Sequence, residues 1–114
     1  MNYTLEEGKD AIHLRVDGRV DEATWEAFGG ALSDAVGQAG QSGVPQVVID
    51  LSELDYMSSR GLRVLTVAKR QADEAAISIV LASPNEVMSE ILAISRYDKL
   101  FTITGGAGGE GIGG

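Results

Sequence analysis

Three observations predict a small α/β domain with a mixed, mostly parallel sheet of four to five strands flanked by three to four helices. Two runs, Val47–Leu51 and Ile77–Ala82, are apolar on both alternate residue sets, the pattern of interior strands covered on both faces. The segments around them carry apolar residues at helical spacing, so strands and helices alternate and right-handed parallel crossovers follow. A period-2 stretch near the N-terminus supplies an antiparallel part.

The first elements form a hairpin. Ile12, Leu14, Val16 and Val20 alternate with His13, Arg15 and Asp17, and Gly18 breaks that run. A shorter alternation around Tyr3 and Leu5 provides the partner strand, joined by the turn-like Gly8-Lys9-Asp10. Asp21 is placed to N-cap the next helix, because its carboxylate can accept from first-turn amides. In that helix Trp25, Phe28, Ala31, Leu32, Ala35, Val36 and Ala39 share a face. Gly29, Gly30 and Gly37 each weaken it by about 1 kcal/mol relative to alanine, so packing must compensate. Gly40–Pro45 follows as a loop.

After the first interior strand a second helix begins near Ser58 or Ser59, with Leu62, Val64, Leu65, Val67, Ala68 and Ala72 as its buried side. After the second, Ser83-Pro84 opens a third helix with Val87, Met88, Ile91, Leu92 and Ile94 inward. Phe101–Ile103 is a short final strand. Residues 1–104 thus make one domain, and the glycine-rich 105–114 forms a flexible tail. That tail lacks the lysine and following helix of a phosphate loop.

Composition narrows the function. The chain has 114 residues, enough for one core, and 44% are apolar, as in a folded globule. There is no cysteine, hence no disulfide framework or thiolate metal site. Met1–Glu7 lacks the basic start and apolar core of a secretory signal, and no apolar run nears the roughly 20 residues of a membrane span. A soluble cytoplasmic protein is expected. The net charge of −8 disfavours nucleic acid and anionic membrane as partners. Against this background Arg60, Arg63, Lys69 and Arg70 make one helix locally basic. Such a run is either a solvated face that balances an acidic protein or a docking surface for an acidic partner.

Catalytic chemistry is sparse. The single histidine, His13, sits on the polar set of a strand, with no nucleophile-elbow pattern to pair with it. One histidine without cysteine makes no metal site, and the carboxylates lack calcium-loop spacing. Asp21, Asp50 and Asp55 are candidates to converge at the carboxyl end of the sheet, which is where open α/β sheets bind ligands. Without a base, metal or cofactor motif they are a weak enzyme signal. No catalytic residue, metal or cofactor is expected.

The most informative stretch is Val47-Val48-Ile49-Asp50-Leu51-Ser52-Glu53-Leu54-Asp55-Tyr56-Met57-Ser58-Ser59-Arg60-Gly61-Leu62. A strand ends in an aspartate and a polar corner, then two serines open a helix. A hydroxyl shown at the positive end of a helix is well placed to carry a phosphate. With no base nearby, the serine is a substrate for modification rather than a nucleophile. On local sequence alone Ser58 is simply an N-cap and Ser59 a first-turn residue.

Asp50-Leu51-Ser52 with Tyr56-Met57-Ser58-Ser59-Arg60-Gly61-Leu62 resembles the signature of the STAS domain family, in particular its stand-alone bacterial anti-sigma factor antagonists. Gly18-Arg19-Val20-Asp21 is similar to the family's pattern before its first helix, and Tyr97-Asp98-Lys99-Leu100-Phe101 to its ending before the last strand. The resemblance covers nearly the whole chain. It implies a STAS-like fold and a partner-switching role: binding to an anti-sigma factor that is also a serine kinase, loss of binding on phosphorylation, and restoration by a serine phosphatase. The family's phosphorylated residue lies two positions before the motif glycine. With Gly61 as that glycine the position is Ser59, and Ser58 is a rival acceptor.

Asp21, Ser58, Ser59, Arg60, Gly61 and Arg63 are the implied partner-binding residues. The chain departs from the family where Ser58 replaces a common acidic residue and where Arg60 follows the acceptor. The guanidinium of Arg60 has the geometry to hold a phosphate bidentately. The alternative is a STAS accessory or scaffold subunit of a transport complex of lipid-transporter type, or of a signalling complex, without a phosphorylation cycle. Monomer and homodimer both remain open.

Overall fold

The structure, a computed structural model, describes residues 1–106; the expected tail lies outside the described residues from 107 onward. In chain order the elements are β1 (Asn2–Glu7), β2 (Ala11–Val20), α1 (Trp25–Ser42), β3 (Gln46–Asp50), β4 (Leu54–Met57), α2 (Ser59–Glu74), β5 (Ser78–Ala82) and α3 (Glu86–Ser95). A single 3-10 turn at Tyr97–Lys99 and β6 (Thr102–Thr104) follow. The strand order is β1-β2-β3-β5-β6, and β4 pairs with β2 off that path. Only the β1–β2 hairpin is antiparallel; β2–β3, β3–β5, β5–β6 and β2–β4 are parallel.

The mixed, mostly parallel α/β fold therefore stands, with β3 and β5 as interior neighbours. The Gly8 amide donates to the Ala11 carbonyl at 2.8 Å and closes the hairpin as expected. Six strands are present among the described residues, one more than the expected four to five. The extra one, β4, falls in the stretch that sequence alone assigns to a polar corner. It has only four residues, and Asp55 and Tyr56 mask its apolar ends, Leu54 and Met57.

Gly18 makes room for this strand. Its φ of +98° lies in a region that residues with side chains rarely adopt, and the pairing register shifts between Gly18 and Arg19. Ala11–Arg15 pairs with β3 and Gly18–Val20 with β4, the shift leaving Asp55 of β4 without a register partner. Gly18 thus bends the strand instead of ending it.

The core lies between the sheet and the helices. Ile12, Leu14 and Val16 of β2, Val47 and Ile49 of β3, and Leu81 of β5 are buried with Phe28, Leu32 and Ala35 of α1, Leu65 of α2, and Met88 and Leu92 of α3. The two-face coverage expected for β3 and β5 holds on one face only. Val48 and Val80 on the other face are half-buried, and His13 and Arg15 beside Val48 are exposed. Two valines shielded by strand neighbours mimic, in sequence, a strand covered on both sides. No helix among the described residues is long and apolar enough to cross a membrane.

Helix boundaries differ from expectation for local reasons. The α1 helix runs on to Ser42, through the first half of the expected loop, and stops at Gly43, which takes the left-handed conformation with φ 72°. The cap of α3 is Asn85, not Ser83. Its Oδ1 accepts from the Met88 amide at 2.9 Å, while its Nδ2 donates to the carbonyls of Leu54 (2.7 Å) and Ser52 (3.3 Å). One side chain thus starts α3 and ties it to the β3–β4 turn. Because α3 is short, it buries Met88 and Leu92 and leaves Val87 and Ile94 exposed at 53% and 78%.

Glycine substitutions should separate strain from weak propensity. Gly37 is an exposed helical residue with open space where a Cβ would stand, so Gly37→Ala is expected to stabilise by up to about 1 kcal/mol. Gly18→Ala is expected to destabilise by about 1–3 kcal/mol through its positive φ. Urea midpoints that move the same way in both variants would contradict this account.

Candidate functional site

The site is built where β2 and β4 end side by side. Val20 and Met57 are register partners, and the Ser58 amide donates to the Val20 carbonyl at 2.8 Å. The two chain segments that leave these strands, Asp21 onward and Ser58 onward, therefore start at one end of the sheet. The expected neighbourhood of Asp21 and Ser59 thus arises through β4, rather than through the end of the central strand.

Ser58 is the N-cap of α2: its backbone is extended and its Oγ accepts from the Gly61 amide at 3.2 Å. Ser59 is the first helical residue and is exposed. Gly61 is buried against the strand ends, where an added Cβ would stand 2.6 Å from Met57 Cγ and 2.7 Å from Val20 Cγ1. The glycine is thus a contact requirement, since any side chain would push the first turn of α2 off the sheet. By helix geometry the Ser59 and Arg60 amides have no intrahelical acceptor, so this end of α2 carries partial positive charge beside the Ser59 hydroxyl.

Asp21 does not cap α1, which starts four residues later, at Trp25. It closes the turn that leads there. Its Oδ1 accepts from the Ala23 amide at 3.0 Å, and its backbone carbonyl accepts from the amides of Thr24 and Trp25. The Thr24 hydroxyl accepts from the Asp21 amide at 2.9 Å and donates to the Arg19 carbonyl at 2.7 Å. The Ala23 amide holds the Asp21 carboxyl below its ordinary pKa, burial opposes it, and the nearby Thr24 hydroxyl and Arg19 guanidinium add smaller lowering effects. Asp21 is therefore an ionised, oriented carboxylate. Asp50 is likewise used locally, accepting from the Ser52 amide at 2.9 Å. Asp21, Asp50 and Asp55 form no metal-holding group among the described residues.

Arg60 points toward α1. It forms an exposed ion pair with Glu22 at 3.6 Å, and its guanidinium carbon stands 5.0 Å from the Trp25 ring centroid. It is thus held beside the serines, though not by them. Arg63 lies one turn further along and makes no ion pair among the described residues. Lys69 is taken up by Asp73 at 3.1 Å. Thr66 and Tyr97 share a hydroxyl–hydroxyl bond of 2.8 Å that pins α2 to the turn before β6.

Sequence reasoning missed a groove of about 570 Å³ between α1 and α2 that begins at Ser59. Trp25, Leu32, Val64, Val67 and Ala68 give it an apolar lining, and Arg60 and Arg63 edge it. Val67, expected inside, is 50% exposed here. The available signal was the string of apolar positions on α2 wider than one core needs.

The family model described as "Mlab, STAS domain" matches residues 3–103. BtrV of Bordetella bronchiseptica, named as an anti-sigma factor antagonist, is 28% identical over 103 residues, 90% of this chain and 85% of that protein. Among solved structures, TM1081 of Thermotoga maritima, also named as an anti-sigma factor antagonist, aligns with a TM-score of 0.76 at 18% identity, covering 90% of this chain and 85% of that one. The anti-sigma factor antagonist SpoIIAA, unphosphorylated, aligns with a TM-score of 0.65 at 19% identity, covering 96% and 93%. SpoIIAA of Bacillus is also known in a phosphorylated form. At these identities the structures establish the shared fold.

Stability should sort the motif residues by role. Gly61→Ala is expected to cost about 1–3 kcal/mol through overpacking, despite the helix preference of alanine. Ser58→Ala should cost about 1 kcal/mol as a lost cap. Ser59→Ala should stay within about 0.5 kcal/mol. Equal losses at Ser58 and Ser59 in urea melts would contradict the division between cap and displayed hydroxyl.

The Asp21 carboxyl should titrate below 3.8 by NMR and move up in Thr24→Val. With a depressed folded pKa, its stabilising contribution is present above the ordinary value and is lost as pH falls through the depressed one. An unshifted Asp21 in the wild-type protein would remove this account of the turn.

Proposed function

Because the chain belongs to the STAS domain family, we propose that it is an anti-sigma factor antagonist that binds an anti-sigma serine kinase and is switched off by phosphorylation of Ser59. The observation that carries this reading is the division of labour between the adjacent serines. Ser58 spends its hydroxyl on the helix cap, while Ser59 stands exposed on the first turn. Of the two, Ser59 is the hydroxyl that a kinase can reach without breaking the cap. The names of the relatives support the general role.

The partner surface comprises Asp21, Ser58, Ser59, Arg60, Gly61 and Arg63. Gly61 acts by bringing the helix close, and Asp21 by offering a fixed charge. A phosphate on Ser59 adds roughly −1.5 to −2 charge at neutral pH. Two like unit charges 4 Å apart repel by about 1 kcal/mol in water and about 4 kcal/mol at a partly desolvated boundary. Since each 1.4 kcal/mol is about tenfold in affinity, that is enough to release a partner. A serine phosphatase resets the cycle. The same reading puts the protein in the cytoplasm, beside the transcription machinery.

The experiment is affinity capture from the source cell, with mass spectrometry of the partner and of Ser58 and Ser59. Ser59→Asp is expected to weaken binding to the nucleotide-loaded kinase, and Ser59→Ala to bind while resisting phosphorylation. Phosphate found mainly on Ser58 would reassign the acceptor. A partner-loaded complex with no phosphate on either serine, under active kinase and ATP, would favour a transport or scaffold subunit instead.

A further inference from the structure

We propose that the groove between α1 and α2 is the docking site for an acidic amphipathic helix of the partner protein, and that Ser59 stands at its entrance as an electrostatic gate. This inference rests on the partner-binding reading above and names the chemistry the partner must bring.

Charge carries the first half. The chain has 17 acidic and nine basic residues, yet the charged residues lining this groove are Arg60 and Arg63, with no carboxylate. The groove beside α3 is the opposite case, lined by Glu86, Glu90 and Asp98. An occupant that gains from the α1–α2 groove is therefore negative. Planar guanidiniums pair with carboxylates bidentately, so Asp or Glu on the occupant fits better than an isolated anion. A nucleic acid would meet repulsion from the remaining charge of −8 and would find no use for an apolar lining.

Shape carries the second half. Groove residues on α2 run from Ser59 to Gln71, which at 1.5 Å per residue is about 18 Å, or three helical turns. Trp25, Leu32 and Val64 lie along the lining, and Val67, 50% exposed, presents an apolar side chain at its opening. A helix with apolar anchors at i, i+3 or i+4, and i+7 matches that length.

The gate follows from position. Ser59 and Arg60 line the same groove. A phosphate on Ser59 would set negative charge at the mouth and draw on the Arg60 guanidinium, opposing an acidic occupant twice over. A second copy of this chain is the competing occupant, because its α3 exposes Val87, Glu90 and Ile94. The charge of −8 on each copy opposes that pairing.

The test is selection from a displayed library of stapled helical peptides of about 15 residues against the whole protein. The expected winners carry an apolar stripe with Asp and Glu on its flanks. Their affinity should fall at least about tenfold in Val67→Glu and in Arg63→Glu, about threefold or more in Ser59→Asp, and progressively with added salt. Val67 and Arg63 are exposed, so both variants should keep the wild-type circular dichroism spectrum and urea midpoint. A peptide with its acids changed to lysine should fail on the wild type and recover on Arg63→Glu.

Enrichment of basic or unpatterned peptides, or of none, would overturn the proposal. So would acidic winners indifferent to Val67→Glu. Self-association in sedimentation, abolished by Val67→Glu, would assign the groove to a second copy and likewise overturn it. Peptides that behave as expected, while native complexes carry no phosphate on Ser59, would keep the groove and remove the phosphorylation reading. Phosphorylation of Ser59 with no selectable helix would do the reverse.

Discussion

Everything at the functional end of this domain depends on how closely the first turn of α2 approaches the ends of β2 and β4. The approach is possible because residue 61 has no side chain: Val20 and Met57 occupy the space a Cβ would need. Met57 and Val20 are themselves buried and paired across the β2–β4 ladder, so neither can yield without disturbing the core. From this contact the rest follows. The Ser58 amide reaches the Val20 carbonyl, its hydroxyl turns back to cap the helix, and Ser59 is left pointing to solvent at the positive helix end. Upstream, β2 passes through the positive-φ Gly18 as it takes up its pairing with β4.

Much of this was legible in the sequence, because the strongest signals there are local. The hairpin, the interior pair β3 and β5, the Ser58 cap and the helical start at Ser59 all rest on spacing within a few residues. What was not legible depends on tertiary contact. The β4 strand is too short to show a period, and its partner is the far end of β2, from the positive-φ Gly18 to Val20, distant in the chain. Asn85 outcompetes Ser83-Pro84 as a helix start through bonds to Ser52 and Leu54, more than thirty residues away. Val67 belongs to the apolar stripe of α2 by spacing, but the stripe is wider than the sheet it covers. The surplus lines the groove. For the site, the family resemblance marked Gly61 as special, while the reason, close contact with Val20 and Met57, needed the fold.

Electrostatics divides the same end into fixed and available groups. Asp21 is fixed, its carboxylate bound to the turn that begins α1. Lys69 is occupied within its own helix by Asp73. Arg60 is shared, since an exposed ion pair with Glu22 contributes at most about 1 kcal/mol and exchanges readily for a stronger acceptor. Arg63 is unpaired among the described residues. Unpaired cations also occur elsewhere among the described residues, at Lys9, Arg96 and Lys99, but Arg63 stands on the helix that bears the serines and next to an apolar lining. That combination suits recognition of a protein surface better than binding of a small anion, which would need enclosure that an exposed pair of arginines does not give.

A phosphate at Ser59 would therefore change what the surface displays rather than how the domain folds. Locally it would meet favourable groups. The helix end is worth about 0.3–1 kcal/mol to a nearby anion, and a guanidinium at the surface a similar amount. Neither is large beside a domain stability of about 5–15 kcal/mol, and no strand or buried contact has to move to admit it. The Glu22–Arg60 pair would be the contact that yields, releasing Arg60 from its place over Trp25. A switch of this kind needs no second conformation of the sheet. Its energy is realised only when a partner approaches, because that is when the added charge and the redirected guanidinium lose the water that screens them.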